Sequence, residues 1–200
     1  MNAAVMEEKD VTPVADCAHC PHRSDRLRAG RCTPGDVCVR ASSGRQIARF
    51  FNINPDLADH YAGDEFWERR AIAARYLSQQ RLLQMIDDPD EVVRRVLAYR
   101  LPVEILGPLI TDPDREVRIT VADRLPDKSL GLMVDDEAAE IRLVVAERLE
   151  PDYLEPLLHD GDWRVRLTAV QRAPLSRLGA LIDDEDEDVR TAVKERLKTE

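Results

Sequence analysis

The sequence predicts an all-α protein. It reads as a solenoid of alternating α and 3-10 helices in 24-residue repeats, behind a small N-terminal lobe holding four cysteines. Three observations carry this. The skeleton Asp112, Val117-Arg118, Ala122, Leu125, Leu130 and Val134 returns 24 residues later as Asp136, Ile141-Arg142, Ala146, Leu149, Leu154 and Leu158. It recurs from Asp88, Asp160 and Asp184, and more loosely from Asp64; a fixed period of this size marks stacked repeats. One helix takes about 13 residues of each copy and a turn two or three, which leaves too few for a second full α-helix. Finally, Cys17, Cys20, Cys32 and Cys38 all lie upstream of the first repeat.

In chain order, residues 1–16 are small and acidic and read as a flexible tail, and residues 17–62 form the cysteine lobe and its junction with the repeats. Within the lobe, Ser24 to Ala29 offers a short helix ended by Gly30, and Pro34-Gly35-Asp36 a turn. Ser43-Gly-Arg-Gln46 fits a capping box, so a helix is expected from Gly44 to Phe51. Asn54-Pro55 repeats the cap-then-proline signal and starts another towards Tyr61. The solenoid then covers residues 63–200, its first helix running from Glu65 to Leu77. Phe50, Phe51, Tyr61, Phe66, Trp67, Tyr76 and Tyr99 gather at the junction, as the apolar end cap that a solenoid requires.

Inside each copy the leading Asp reads as an N-cap, with Pro89 and Pro113 at the first helical position. Counting that Asp as position two, positions seven, eleven and fifteen (Val117, Val121, Leu125) step by four along one helical face. Positions nine and ten are also often apolar (Ile119, Leu143, Val144, Leu167), so each helix is flanked on both sides. The remaining Leu-rich runs, with Gly107, Gly131 and Gly179, lack strand-like alternation and suit a turn or two of 3-10 helix.

Charge narrows the function. The net charge is −10, and residues 1–62 balance eight acids against eight bases, so the deficit falls in the solenoid. An acidic solenoid argues against duplex nucleic acid or an anionic membrane as partner, because phosphates need cationic surface. The opening MNAAVMEEKDVT has neither the cationic start nor the apolar core of a signal peptide, and no apolar run is long enough to span a membrane. A cytoplasmic chain is expected, where thiols stay reduced, and the cysteines then point to metal chemistry rather than disulfides.

The cysteine spacing is C-x2-C-x11-C-x5-C. Four thiolates within 22 residues can converge on one centre, and both zinc and iron–sulfur accept four Cys ligands. The second pair is too widely spaced for the usual zinc pattern, and the ferredoxin run is also absent, so spacing alone leaves both open. Arg23, Arg26, Arg28, Arg31, Arg40, Arg45 and Arg49 make the lobe locally basic and would offset the excess charge of the thiolates. His19 and His22 flank Cys20, where a His could replace a Cys as ligand, but they read first as solvated imidazoles or supports behind the ligands.

Taken together, the 24-residue repeat with Asp and Val-Arg at fixed places, behind four cysteines, resembles the leucine-rich repeat variant family of iron–sulfur proteins. The resemblance runs from Cys17 to the last helix. It implies a right-handed superhelix and a [4Fe–4S] cluster on Cys17, Cys20, Cys32 and Cys38, in a family associated with nitrogen-fixing bacteria. It supplies no defined catalytic activity. The expected function is an iron–sulfur scaffold for redox-linked interaction with a protein partner. The alternative is a zinc-stapled structural scaffold of HEAT-like repeats.

Asp and Arg recur in all six copies (Asp64, Asp88, Asp112, Asp136, Asp160, Asp184; Arg70, Arg94, Arg118, Arg142, Arg166, Arg190). Chemistry needs one asymmetric site, so a pair repeated at every step reads as a structural ladder in which each Arg meets the Asp of a neighbouring copy. No Ser/His/Asp grouping, phosphate loop or HExxH motif is present, and no enzyme is expected. Positions six and thirteen place Glu116, Asp123, Glu140, Glu147, Asp188 and Glu195 along one acidic ridge. The ridge is either a solvated helix face or a surface for a basic protein.

Overall fold

The computed structural model describes residues 16–198, so the expected tail, Asp16 apart, lies outside the described residues. Among the described residues the regular structure is all helical, with one isolated bridge between Thr33 and Val37 and no strand. The α-helices are α1 (Gly44–Ile53), α2 (Ala58–Tyr61), α3 (Trp67–Ala73), α4 (Gln79–Leu83), α5 (Glu91–Arg100), α6 (Arg115–Arg124), α7 (Ala139–Arg148), α8 (Trp163–Arg172) and α9 (Glu187–Lys198). From α5 onwards, 3-10 segments alternate with them. The chain divides into two compact units, the break falling inside α5 between Val96 and Leu97.

The first unit departs from the sequence reading in its caps. Ser24 to Gly30 forms turns rather than a helix: Leu27 N–H donates to the His22 carbonyl and Arg31 N–H to that of Arg26, each five residues back. Gly30 and Gly35 take φ of 67° and 75°, the left-handed region glycine enters at least cost. α1 starts after Ser43 as expected, but without the capping box. Ser43 makes no side-chain cap bond, and Gln46 donates instead to the Gly35 carbonyl, tying the Thr33–Val37 turn to the helix. Asn54, fully buried, stands before the expected helical run towards Tyr61, which forms as 3-10 Pro55–Leu57 and then α2, but its side chain makes no cap bond there. Its Nδ2 donates backwards to the carbonyls of Phe50 (3.0 Å) and Arg31 (2.9 Å), closing α1 onto the cysteine loop. In the first repeat α3 is shorter than expected, and α4 replaces a 3-10 segment; Ser78 caps α4 by accepting from Arg81 N–H.

The second unit follows the repeat closely. Val117, Val121 and Leu125, with their counterparts Ile141, Val145 and Leu149, are buried, as are Leu130, Leu154, Leu158 and Leu178 from the 3-10 side. Each such side chain contributes about 1.5–3 kcal/mol on burial. Helices α6 to α9 pack in chain order, and the 3-10 segments Asp127–Met133, Glu155–His159 and Leu175–Leu181 pack against the helices that follow them. The fold is thus the all-α repeat solenoid expected. Tyr99 lies outside the expected aromatic cap and is 74% exposed.

The ladder joins neighbouring copies, as the sequence reading expects. Arg118 Nε and Nη2 donate to the two Asp136 carboxylate oxygens at 2.8 and 3.1 Å, and Nη1 donates to the Asp112 carbonyl at 2.8 Å. Arg142 grips Asp160, Arg166 grips Asp184 and, in the first unit, Arg70 grips Asp88 in the same two-pronged way. The ladder Asp is not the N-cap, however. Its Oδ1 accepts the N–H two residues on (Asp114 for Asp112, Asp162 for Asp160), and that second residue is the cap. Pro113 therefore precedes the helix instead of opening it.

A second arginine set, unremarked in the sequence, reaches the other way. Arg172 Nη1 donates to the carbonyls of Ala146 (2.7 Å) and Leu149 (2.8 Å) at the end of the preceding helix, and Arg196 does the same at Val170 and Ala173. Arg124 and Arg148 repeat the pattern. The last carbonyls of a helix lack intrahelical partners and carry partial negative charge, so a cation there serves as a C-cap.

Candidate metal centre

The four cysteines arrive from separate stretches of the lobe. Cys17 and Cys20 precede the 3-10 turn Pro21–Arg23, Cys32 enters the Thr33–Val37 turn, and Cys38 follows that turn, its N–H donating to the Gln46 carbonyl of α1. All four line a single pocket with Leu27, Val37, Val39 and Phe50, enclosing about 300 Å³ of space partly open to solvent. Cys38 is buried, while Cys17, Cys20 and Cys32 are half-buried. All are free thiols. The sulfurs share the pocket without closing on one point: among the described residues no group of three or more Cys, His, Asp or Glu is set tightly enough for one metal ion.

Electrostatics reflects their crowding. Burial holds the Cys17 and Cys32 thiols above the ordinary value, and the neighbouring cysteines push in the same direction. Arg23, on the pocket wall, opposes this at Cys17. An anionic four-sulfur set with apolar walls is unstable alone and suits a cationic core, so the residues fit a metal group with four thiolate ligands.

The two histidines separate cleanly. His19 is exposed, 2.6 Å from Asp16. His22 is buried on the pocket wall, where Nε2 lies 2.8 Å from the Tyr61 hydroxyl, and burial holds its pKa down. Burial also raises the Tyr61 pKa, with Cys20 adding to the effect. Phe50 and Phe51 stack edge-on behind them at 5.6 Å, so the junction aromatics back the cysteine pocket. Tyr61 stands 39 residues from His22, and no local spacing in the sequence signals that contact.

A repeat solenoid whose lobe gathers four thiols on one pocket belongs to the class of metal-centred repeat scaffolds. Residues 13–60 match the family described as the LRV protein FeS4 cluster, and residues 67–90 match the leucine rich repeat variant. A solved structure of a leucine-rich repeat variant with a novel repetitive structural motif is 45% identical, with a TM-score of 0.55; the match covers 92% of this chain and 100% of that one. The chain belongs to the leucine-rich repeat variant family. It is also 38% identical over 87 residues to an uncharacterised 27.7 kDa protein from the nifB 3′ region of Rhodobacter capsulatus, spanning 44% of this chain and 35% of that protein.

Proposed function

We propose that Cys17, Cys20, Cys32 and Cys38 hold a [4Fe–4S] cluster, and that the chain is a cytoplasmic scaffold for redox-linked protein interaction rather than an enzyme. The observation carrying this reading is the convergence of all four thiols on one pocket, within the segment that matches the iron–sulfur family. When bound, such a cluster supplies one-electron transfer.

The chain's own residues then have distinct tasks. The thiolates hold the core, and Arg23 offsets part of the roughly −2 charge left by four thiolates. Leu27, Val39 and Phe50 limit water, and hydrogen bonding between His22 and Tyr61 fixes the pocket wall. Similarity to a protein encoded beside nifB supports a setting in nitrogen fixation.

Anaerobic purification tests the cluster. Brown protein with a broad shoulder near ~400 nm, iron and acid-labile sulfide is expected. Each single Cys→Ser change should lower both contents. A colourless chain carrying one zinc would overturn the reading.

A further inference from the structure

A groove in the first unit lies between α1, α3 and the start of α5, with about 730 Å³ of space partly open to solvent. Its apolar lining includes Trp67, which is 37% exposed, and the half-buried Val92 and Val96. Two exposed cations, Arg45 and Arg75, stand on it, and neither guanidinium has a hydrogen bond or ion pair among the described residues. Glu68, the acid in the groove, packs against Gly44, the first residue of α1. The N-terminal dipole of that helix favours a carboxylate there. The two arginines are left to seek anions elsewhere.

Repeat register shows where matching anions stand. Arg75 occupies position thirteen of the first copy, and the same position holds Asp123 on α6 and Glu147 on α7 in the second unit. Both acids are exposed, with no side-chain partner among the described residues. Between them, Ile119, Leu143 and Val144 leave apolar surface half-exposed. Arg45 lies on α1 and Arg75 in the turn that follows α3, the helix packed on α1, while Asp123 and Glu147 come from the packed pair α6 and α7. One surface offers two cations around an apolar floor, and the other two anions around an apolar stripe.

We propose that the Trp67 groove of one molecule receives the α6–α7 face of a second copy of this chain. The contact is heterologous, so it generates rings or open chains unless two such contacts close a dimer. The net charge of −10 opposes association only at long range. At physiological salt the Debye length is about 8 Å, so that repulsion is screened while contact pairs are not. The contact does not depend on the metal centre, and loss of the cluster reading would leave it standing.

Sedimentation velocity of the full, anaerobically purified chain at physiological salt tests it, with far-UV circular dichroism confirming that each variant is folded. Wild type is expected to associate with rising concentration. Arg45→Glu with Arg75→Glu, and separately Asp123→Lys with Glu147→Lys, should each weaken association by at least ~10-fold. Mixing the two folded double variants should restore a complex, because each supplies the other's missing charge. A wild type that stays at 22.7 kDa up to about 100 μM, where contacts of ordinary strength are populated, would overturn the proposal. So would association unaffected by either reversal, or a mixture that remains monomeric.

Discussion

Replacing Arg118 by Ala tests the ladder at a deeply buried rung. The Arg118 and Asp136 side chains are each 6% exposed. Truncation strands three acceptors: the Asp136 carboxylate and the carbonyls of Asp112 and Pro113. Breaking a buried ion pair on one side costs about 3–5 kcal/mol. Two features place this case at the lower end. Asp136 keeps a hydrogen bond from Ala138 N–H at 2.9 Å, and the adjoining cleft, lined by Asp112, Arg118 and Asp136, lets water reach the orphaned groups. The expected loss is therefore about 3 kcal/mol, or a urea midpoint lower by about 1.5 M for a slope near 2 kcal/mol/M. Arg115→Ala is the control. Arg115 is 53% exposed and meets only the exposed Glu116 and Glu140, so its loss should cost under about 0.5 kcal/mol. Equal midpoints for the two variants in urea titrations would refute the buried-ladder account.

Arg172→Ala should fall between these, at about 1–2 kcal/mol in the same titration, because it uncaps two helix-terminal carbonyls without stranding a buried charge; a cost no larger than that of Arg115→Ala would remove its capping role. Acid should weaken the second unit in a defined window. Burial is the largest influence on Asp160 and Asp184 and raises both, yet their arginine partners and backbone N–H donors bring the net pKa below 3.8. Asp162 is held at about 2, chiefly by Arg164. Depressed carboxylates stabilise the fold above the ordinary value and lose that contribution as pH falls through the native one. Thermal midpoints should therefore hold steady above pH 3.8 and drop towards pH 2; a drop beginning near neutrality would contradict the assignment. Gly35→Ala should cost about 1 kcal/mol through its φ of 75° alone, since a new Cβ meets nothing within 4 Å. Gly107→Ala, equally open but without the positive φ, should be close to neutral, and matching melting shifts would discount backbone strain at Gly35.

The solenoid is legible in the sequence because one set of contacts repeats at a fixed interval, and periodicity reports that set directly. Arg118 and Asp136 can be paired on paper, since a charged head inside an apolar arc must find an acceptor at the boundary. The helix caps are harder to read. Asp112 and Asp114 are both plausible caps, and only the turn geometry shows that the first accepts the Asp114 N–H while the second caps the start of α6 by accepting from Val117 N–H. The capping-box signal of Ser43 and Gln46 is overridden because Gln46 donates to the Gly35 carbonyl inside the lobe, and Asn54 likewise sends its Nδ2 to the Arg31 carbonyl. Arg172 and its equivalents escape notice because an arginine in the last helical turn looks like ordinary solvated surface. The cysteines are found from spacing, but Phe50 of α1, which walls their pocket, and Tyr61, which bonds His22 on that wall, come from helices that no local pattern connects to them.

The two arginine sets bear on how such a chain can change length. Within the second unit the copies of α6, α7 and α8 each carry one guanidinium reaching forward to the next carboxylate and one reaching back to the previous helix end. A duplicated or deleted stretch of 24 residues, wherever its ends fall in the copy, rebuilds both ties at the new junction with no compensating substitution. Recombination between copies can therefore lengthen or shorten the stack in whole steps, whereas inserting a single residue inside a helix turns both guanidiniums away from their acceptors.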